Sequence, residues 1–294
     1  MQRLVNILLF LIQNRIMYKV LFLFFICFAT KAQSQYYYND ILGNKQAKDN
    51  FLLLKTNEIK KVAVSTTDGF GEVNPSFAIL QEIKANKNEM TTNTKSEMSP
   101  ISILKTTYFP NGYPKTTVDS SENAVTVTTY TYNAAAPDNL AAIVSSSHEP
   151  GESAQKFSEQ RIYSYDGALP KMMWRIKNGK DSMQVQFILE EHGWIGEERW
   201  IEKGRTIETY FYYYNETGKL TDVAQYNKRA KRILPNYTFE YDAKGRIFGM
   251  NAYVTGTDLY RTWRYSFDYR NLKTKETIFN KKQQAEGKVI YVYE

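Results

Sequence analysis

Aromatic and polar residues alternate along much of this chain, and the alternation is clearest near residue 240. Tyr237, Phe239 and Tyr241 are separated by single polar residues, so in an extended chain the three rings share one face. Residues 242–245 then supply a reversal, because Asp bonds to nearby backbone and Gly tolerates positive φ. The stretch 237–250 is therefore predicted to form a β-hairpin.

The same pattern recurs at a regular interval. The predicted first strands end at Phe109, Tyr132, Tyr165, Leu189, Tyr214, Tyr241, Tyr269 and Tyr293. Successive ends lie 23 to 28 residues apart, except for one interval of 33, and each interval is long enough for two strands and two turns. We therefore expect an all-β fold, an antiparallel meander of repeated hairpins that forms a curved or rolled sheet.

A different pattern precedes the repeats. Asp40 is a candidate N-cap for a short helix that runs to about Leu54, and strands are expected at 58–65 and 77–83. We expect the helix to cover the first edge of the sheet, since an open edge invites strand addition. The polar stretch 86–100 is interpreted as a linker or a polar edge strand.

These patterns divide the chain into three parts. Residues 33–100 are expected to form an N-terminal cap of one helix and strands, and residues 101–294 the hairpin-repeat domain. Residues 1–32 are interpreted as a cleaved signal peptide with an apolar core at 20–29, and translation starts at either Met1 or Met17. The protein is therefore expected to be exported, either secreted, periplasmic or on the cell surface.

Composition narrows the possible partners. The 294 residues are 43% hydrophobic and include 23 Tyr, an excess that favours strands. The net charge is +7, but residues 1–32 hold four basic residues and no acid, so the remainder carries 34 basic and 31 acidic residues. A net charge of +3 gives little attraction to nucleic acid, and none is expected as a partner. The single Cys27 lies in the leader, so disulfides and thiolate metal sites are not expected.

The turn sequences resemble a known family. Tyr241-Asp-Ala-Lys-Gly-Arg-Ile247 is similar to the YD (Rhs-type) repeat, and residues 214–220 are a conservative variant of it. Residues 165–169 match a truncated form, and the resemblance extends loosely over 103–294. It implies β-hairpins wound into a curved sheet, as in secreted and surface bacterial proteins and toxin-delivering shells. The interval here is longer and looser than is usual in that family, so a shell large enough for cargo is not expected.

Catalytic signatures are absent from the sequence. The best chemical candidate is the segment 190–198, whose carboxylates and imidazole could hold a divalent ion or perform acid–base chemistry. Its candidate ligands are Glu190, Glu191, His192, Glu197 and Glu198. The simpler interpretation is a charged hairpin turn in water. We therefore predict no enzyme activity, no catalytic residues and no cofactor.

The aromatic stripe has two interpretations. The rings either form the core of a rolled sheet, as burial alone would select, or bind a glycan or extended peptide. The candidate binding residues are Trp194, Trp200, Tyr210, Tyr212, Tyr237 and Trp263.

The sequence therefore favours an exported repeat scaffold that binds an envelope protein or a cell-wall or extracellular glycan. It contacts the membrane only if the leader is not cleaved. The alternatives are an outer-membrane β-barrel, for which the alternating strands are a weak signal, and a hydrolase or metal-binding protein that uses the 190–198 cluster.

Overall fold

The described residues after residue 60 form eighteen strands, along which side chains alternate between the inside and the outside of the sheet. The structure is a computed structural model, and it describes residues 35–96, 99–151, 157–228, 230–254 and 259–294. The predicted signal peptide lies outside the described residues. Residues 36–294 form one compact unit.

The strands follow one another as a meander. They are β1 (Lys61–Asp68), β2 (Val73–Lys84), β3 (Glu89–Ser96), β4 (Ser99–Tyr108), β5 (Pro114–Ser120), β6 (Val125–Tyr132), β7 (Leu140–His148), β8 (Phe157–Asp166), β9 (Leu169–Lys177), β10 (Asp181–Leu189), β11 (Ile195–Glu202), β12 (Arg205–Tyr214), β13 (Leu220–Asn227), β14 (Arg232–Tyr241), β15 (Ile247–Tyr253), β16 (Tyr260–Phe267), β17 (Lys273–Phe279) and β18 (Ala285–Tyr293). Each strand pairs antiparallel with the next, so the predicted all-β meander is confirmed.

The meander closes on itself. Strand β1 pairs with β2 on one side and with β18 on the other, with Val62 opposite Tyr293 and Val64 opposite Tyr291. The result is an 18-stranded antiparallel barrel. Closure removes the edge that the N-terminal helix was expected to cover, because both sides of β1 are already paired.

The predicted rings share the inner face of the barrel. Tyr163, Tyr210, Tyr212 and Phe239 are all buried, whereas Tyr213, one position out of register, is 45% exposed. Since side chains alternate along a strand, this burial pattern places the aromatic stripe inside the ring. The core interpretation therefore describes most of the stripe.

The hairpins meet at two ends of the barrel. We call the end with the turns that follow even-numbered strands the helix end, and the other the opposite end. At the helix end Asp242 Oδ1 accepts hydrogen bonds from the backbone N–H groups of Lys244 and Arg246, at 3.0 and 2.9 Å. Gly245 has φ +77°, a conformation that favours glycine. The Asp and Gly of the YD-like motif are thus explained by turn geometry.

The tyrosine of the motif joins neighbouring hairpins. The hydroxyl of Tyr241 donates to the carbonyl oxygen of Leu220 at 2.7 Å. The hydroxyl of Tyr214 does the same to Ile195 at 2.8 Å. In both cases the acceptor is the first residue of a strand in the preceding hairpin, so the repeated tyrosine ties one unit to the next at the helix end.

One helical segment, residues 36–56, lies inside the barrel, and we call it the plug segment. It comprises a π-helical stretch at Tyr37–Leu42 and helix α1 at Gly43–Thr56. Its side chains contact β4, β8, β11, β12 and β14, which lie around more than half of the ring, and this is possible only from the inside.

The C-terminal half of the plug segment fills the helix end. Phe51 stacks on Tyr108 with ring centroids 3.8 Å apart, and both Phe51 and Leu54 are buried in a cluster with the start of β1. Asp40 is not the predicted N-cap, because the helical segment begins earlier and Asp40 lies within its first turns.

In the described part of the stretch 86–100, residues 86–96 and 99–100, the chain forms neither a linker nor an edge strand. After a short 3-10 turn at Ala85–Lys87, they enter β3, which pairs with β2 and with β4. The stretch is polar because one side of β3 forms the outer wall and the inner Thr92 accepts a hydrogen bond from Gln81 at 3.3 Å.

Candidate functional sites inside and outside the barrel

A buried glutamate holds the start of the plug segment. Glu198 projects inward from β11 and is fully buried. Its Oε1 accepts hydrogen bonds from the backbone N–H of Tyr36 at 2.9 Å and from Trp200 Nε1 at 2.6 Å. Its Oε2 accepts from the backbone N–H of Tyr37 at 2.8 Å and from the Tyr212 hydroxyl at 2.7 Å. The carboxyl group thus receives hydrogen bonds from two backbone amides that begin the helix and that have no partner within it.

Burial has the largest effect on the pKa of Glu198. Desolvation raises the pKa of Glu198 from 4.5 to about 7, although the four hydrogen bonds favour the charged form and oppose the increase. The folded protein therefore holds a proton on Glu198 at pH values where an exposed glutamate is ionised.

A second buried network fixes the middle of the plug segment. Arg161 Nη1 lies 2.7 Å from Asp40 Oδ1, and Arg161 Nη2 lies 2.7 Å from Glu159 Oε1. The Tyr163 hydroxyl also donates to the Asp40 carboxylate. Because the guanidinium and the Asp40 carboxylate are both largely removed from water, each depends on the other for compensation.

Sequence reasoning missed both networks. Glu159 and Arg161 share the strand parity of Tyr163, and Glu198 shares that of Trp200. These charged residues lie on the same strand face as buried rings, and this position indicates that they are buried too. Because a buried charge needs a partner, the sequence could have predicted buried networks here. The partner segment, more than a hundred residues away in the chain, could not be identified from that signal.

The outer wall carries a groove of about 590 Å³ at the helix end, beside the turns of β10–β11 and β12–β13. Its wall includes His192 and Trp194, which stack with ring centroids 5.4 Å apart and 17° between planes. Trp194 also contacts Tyr214, with centroids 5.2 Å apart. Tyr213, 45% exposed, lines the same groove. We call this the outer groove.

Glycines shape the outer groove. Gly218 has φ +76°, and a Cβ built there would lie 2.8 Å from Trp194 Cζ2. A Cβ at Gly196 would lie 2.9 Å from Glu190 Cβ. Side chains at these two positions would therefore displace the groove's tryptophan and its acidic turn.

Carboxylates line the outer groove beside the rings. Glu190 Oε1 accepts from the backbone N–H groups of His192 and Trp194, and Glu190 Oε2 lies 2.9 Å from His192 Nδ1. That hydrogen bond, together with the carboxylate charge, raises the pKa of His192 and lowers that of Glu190. Glu197 and Glu216 also line the groove, so it combines aromatic faces with hydrogen-bond acceptors.

The six predicted binding residues occupy different environments. Trp200, Tyr210, Tyr212 and Trp263 face the barrel interior and are at most 6% exposed. A partner on the outer surface would not reach them. The ring of Tyr237 stacks on Tyr38 of the plug segment at 5.6 Å. Trp194 lines the outer groove, and Tyr212 also contributes to its lining although its side chain is buried.

The predicted acidic cluster at 190–198 is divided between two faces of the barrel wall, because side chains alternate along a strand. Glu197 lies on the outer wall with Arg199 Nη2 at 2.6 Å, whereas Glu198 faces inward. Among the residues that the structure describes, no three His, Cys, Asp or Glu side chains are placed to hold a metal ion. The described residues also include no helix that is long and apolar enough to cross a membrane.

Comparisons with known proteins give low similarities. No protein-family model matches this chain. No curated protein matches it. Among solved structures, a chain of the Photorhabdus luminescens Tc holotoxin pore is 10% identical with a TM-score of 0.29, over 74% of this chain and 17% of the toxin chain. A chain of the TcdB2–TccC3–Cdc42 structure is 10% identical with a TM-score of 0.18, over 78% of this chain and 19% of that one.

A porin-like protein from Bacteroides uniformis is also similar, at 8% identity and a TM-score of 0.39, over 80% of this chain and 96% of that protein. This chain spans less than a fifth of the toxin chains. At these identities and TM-scores, the similarities carry no argument about function.

Proposed function

We propose that this chain is a non-catalytic barrel of the bacterial envelope, built from YD-like hairpins, that binds a glycan in the outer groove. The observation that carries the proposal is the groove itself, where the stacked His192 and Trp194 adjoin the exposed Tyr213 and several carboxylates. Aromatic faces pack against the C–H faces of sugar rings, and carboxylates accept hydrogen bonds from sugar hydroxyls. Glu190 and His192 contact each other in a turn, Glu197 is paired with Arg199, and Glu216 is exposed. This arrangement suits binding more than catalysis.

Binding can be measured directly. Ligand-observed NMR with a panel of peptidoglycan, capsular and plant-type oligosaccharides is expected to show saturation transfer from the wild-type protein. Trp194→Ala and Tyr213→Ala should each weaken binding about tenfold or more, because each removes one ring face from the groove.

Trp174→Ala is the matched control, since Trp174 is an exposed outer-wall tryptophan, 41% exposed, outside the groove. Circular dichroism of each variant checks that the barrel is intact. The proposal fails if no oligosaccharide binds, or if Trp194→Ala and Trp174→Ala affect binding equally.

An outer-membrane barrel is the second candidate. Ring closure fits it better than it fits an open, curved scaffold, and large apolar side chains such as Ile103, Ile162 and Val292 are exposed on the outer wall. Against it, charged side chains within the strands also lie on the outer wall. Arg264 of β16 reaches across Gly249 to Glu240 of β14, with Nη1 and Oε1 2.8 Å apart and both side chains 40% exposed.

An arginine on a lipid-facing wall costs about 2–4 kcal/mol at the bilayer midplane and less near the interfaces, so this ion pair supports a wall in water. Carbonate extraction of the native envelope decides between the two candidates. Release of the protein without detergent is expected, and retention in the membrane pellet would favour the spanning barrel.

A further inference from the structure

The opposite end of the barrel has charge of both signs, separated into two arcs. Turns after β9, β11, β13 and β17 form one arc, at 177–181, 202–205, 227–232 and 279–285. Its described residues include nine basic and two acidic side chains. Turns after β1, β5 and β7 form the other arc, at 68–73, 120–125 and 148–151, with four acidic side chains and no basic one among the described residues. We call these the basic arc and the acidic arc.

The arcs lie on opposite halves of one rim. Strand order around the ring is sequence order, so the turns between β1 and β8 occupy one half and those between β9 and β18 the other. The net charge of the chain after the leader is only +3, and this small sum conceals the separation.

Four of the basic side chains are available to a partner. Lys203, Arg205, Lys231 and Arg232 are exposed, and in the part of the chain that the structure describes none of them forms an ion pair. Across the rim, Glu72 and Glu122 are exposed as well.

Two of these lysines occupy positions that are unfavourable for them. Lys203 and Lys231 have φ +48° and +52°, in the left-handed region that favours Gly and Asn. The equivalent turn after β9 uses Asn178 at φ +48°. Lysine therefore replaces a residue type better suited to the turn, and the turn conformation itself does not explain the charge.

Apolar side chains accompany the charge in both arcs. Phe70 is 97% exposed and lies between Asp68 and Glu72 in the acidic arc. Ile207 and Ile233 are 37% and 41% exposed just below the turns of the basic arc. Each half of the rim therefore combines exposed apolar side chains with charge mainly of one sign, and the sign is opposite on the other half.

We propose that the opposite end is a self-association surface, where two copies of this chain meet rim to rim about a two-fold axis. A two-fold axis that lies in the plane of the rim, between the arcs, places the basic arc of each copy against the acidic arc of the other. One self-complementary surface is what a two-fold dimer requires. An anionic membrane is the less suitable partner, because the acidic half of the same rim would be repelled by it. The surface lies at the other end of the barrel from the outer groove, so the proposal is independent of glycan binding.

The test is the oligomeric state of the full chain, measured by sedimentation velocity over a range of protein concentrations. We expect a dimer that weakens between about 0.05 M and 0.5 M salt, because the exposed charges are screened. The basic-arc variant Lys203→Glu/Arg205→Glu and the acidic-arc variant Glu72→Lys/Glu122→Lys should each raise the dimer dissociation constant at least about tenfold.

Mixing the two variants provides the decisive measurement. In a rim-to-rim pair of the two variants each altered arc again faces opposite charge, so the mixture should form a heterodimer that neither variant forms alone. The control Lys171→Glu/Lys244→Glu reverses two exposed lysines at the helix end and should dimerise as the wild type does.

Several results would overturn the proposal. They are a wild-type chain that remains monomeric at about 0.1 mM, a mixture of the two variants that remains monomeric, or a helix-end control that dissociates as readily as the arc variants. A monomeric wild type that co-sediments with anionic vesicles would assign the basic arc to lipid instead.

Discussion

The titration of Glu198 gives a stability prediction with a definite sign. Its pKa is about 7 in the folded protein against an ordinary value of 4.5, so between these pH values the folded state binds more protons than the unfolded state. Stability rises with pH only where the unfolded state binds more protons, so here it must fall as pH rises. The contribution is fully present below about pH 4.5 and is lost as pH passes through 7.

The size of the effect follows from the same two values. A tenfold change in an acid dissociation constant corresponds to about 1.36 kcal/mol, so Glu198 contributes a loss of about 3 kcal/mol between pH 4.5 and pH 8. The group is fully buried, and no discount for solvent screening applies. Glu198→Gln keeps the shape and cannot titrate, so this component of the pH dependence should disappear.

Urea unfolding at about pH 4.5 and pH 8 measures the effect for each protein. The relevant quantity is the wild-type decrease in unfolding free energy minus the Glu198→Gln decrease. Taking this difference removes the contribution of other titrating groups to the pH dependence. His192 is one of them, because its raised pKa also lowers stability as pH rises. Glu197→Gln is the matched control, because Glu197 is the adjacent residue on the outer wall, with a side chain 30% exposed.

The reasoning is refuted if the wild type and Glu198→Gln lose the same free energy over this range. It is also refuted if Glu197→Gln abolishes the pH dependence as completely as Glu198→Gln does. The first result would mean that Glu198 has the same pKa in the folded and unfolded chains, and the second that the pH dependence is not specific to Glu198.

Three further predictions concern the turns and the outer groove. Tyr241→Phe removes the hydroxyl that joins two hairpins and should lower the unfolding free energy by about 1 kcal/mol in urea. Glu190→Gln should lower the pKa of His192 toward its ordinary 6.5, as measured by NMR titration of the imidazole, because the charged acceptor is lost. Gly218→Ala should cost about 1–3 kcal/mol and change the fluorescence of the chain, because the new Cβ meets Trp194 at a positive φ.

The tyrosine and glycine variants each have a control in a neighbouring hairpin. Tyr213→Phe changes an outer-wall hydroxyl and should leave stability within about 0.5 kcal/mol of the wild type. Gly204→Ala has a similar φ, +74°, with nothing within 4 Å of the new Cβ, so it should show the backbone cost without the fluorescence change. Equal effects of Tyr241→Phe and Tyr213→Phe, or of the two glycine variants, would contradict the packing described here, and so would an unchanged His192 titration.

The hairpins could be predicted from the sequence because their signals are local. The predicted strand ends at Tyr132, Leu189, Tyr214, Tyr241 and Tyr293 coincide with the observed ends of strands. Period-2 alternation and Asp/Gly turn chemistry are properties of neighbouring residues, and they specify a hairpin wherever it lies in the fold. The burial of Phe51 and Leu54 was predictable for the same reason, from helical spacing.

Tertiary structure alone decided what the hairpins enclose. Pairing of β1 with β18 is a contact between the two ends of the sheet, and no local pattern encodes whether a curved sheet closes. Closure made the helix a plug inside the ring, where Asp40 meets Arg161 and Tyr36 meets Glu198 across more than a hundred residues of chain. The sequence by itself determined the strands, the turns and the face that carries the rings, because each depends on neighbours in the chain. The partners of the buried charges, the outer groove and the two-sided rim depend on distant strands that become neighbours only when the ring is complete.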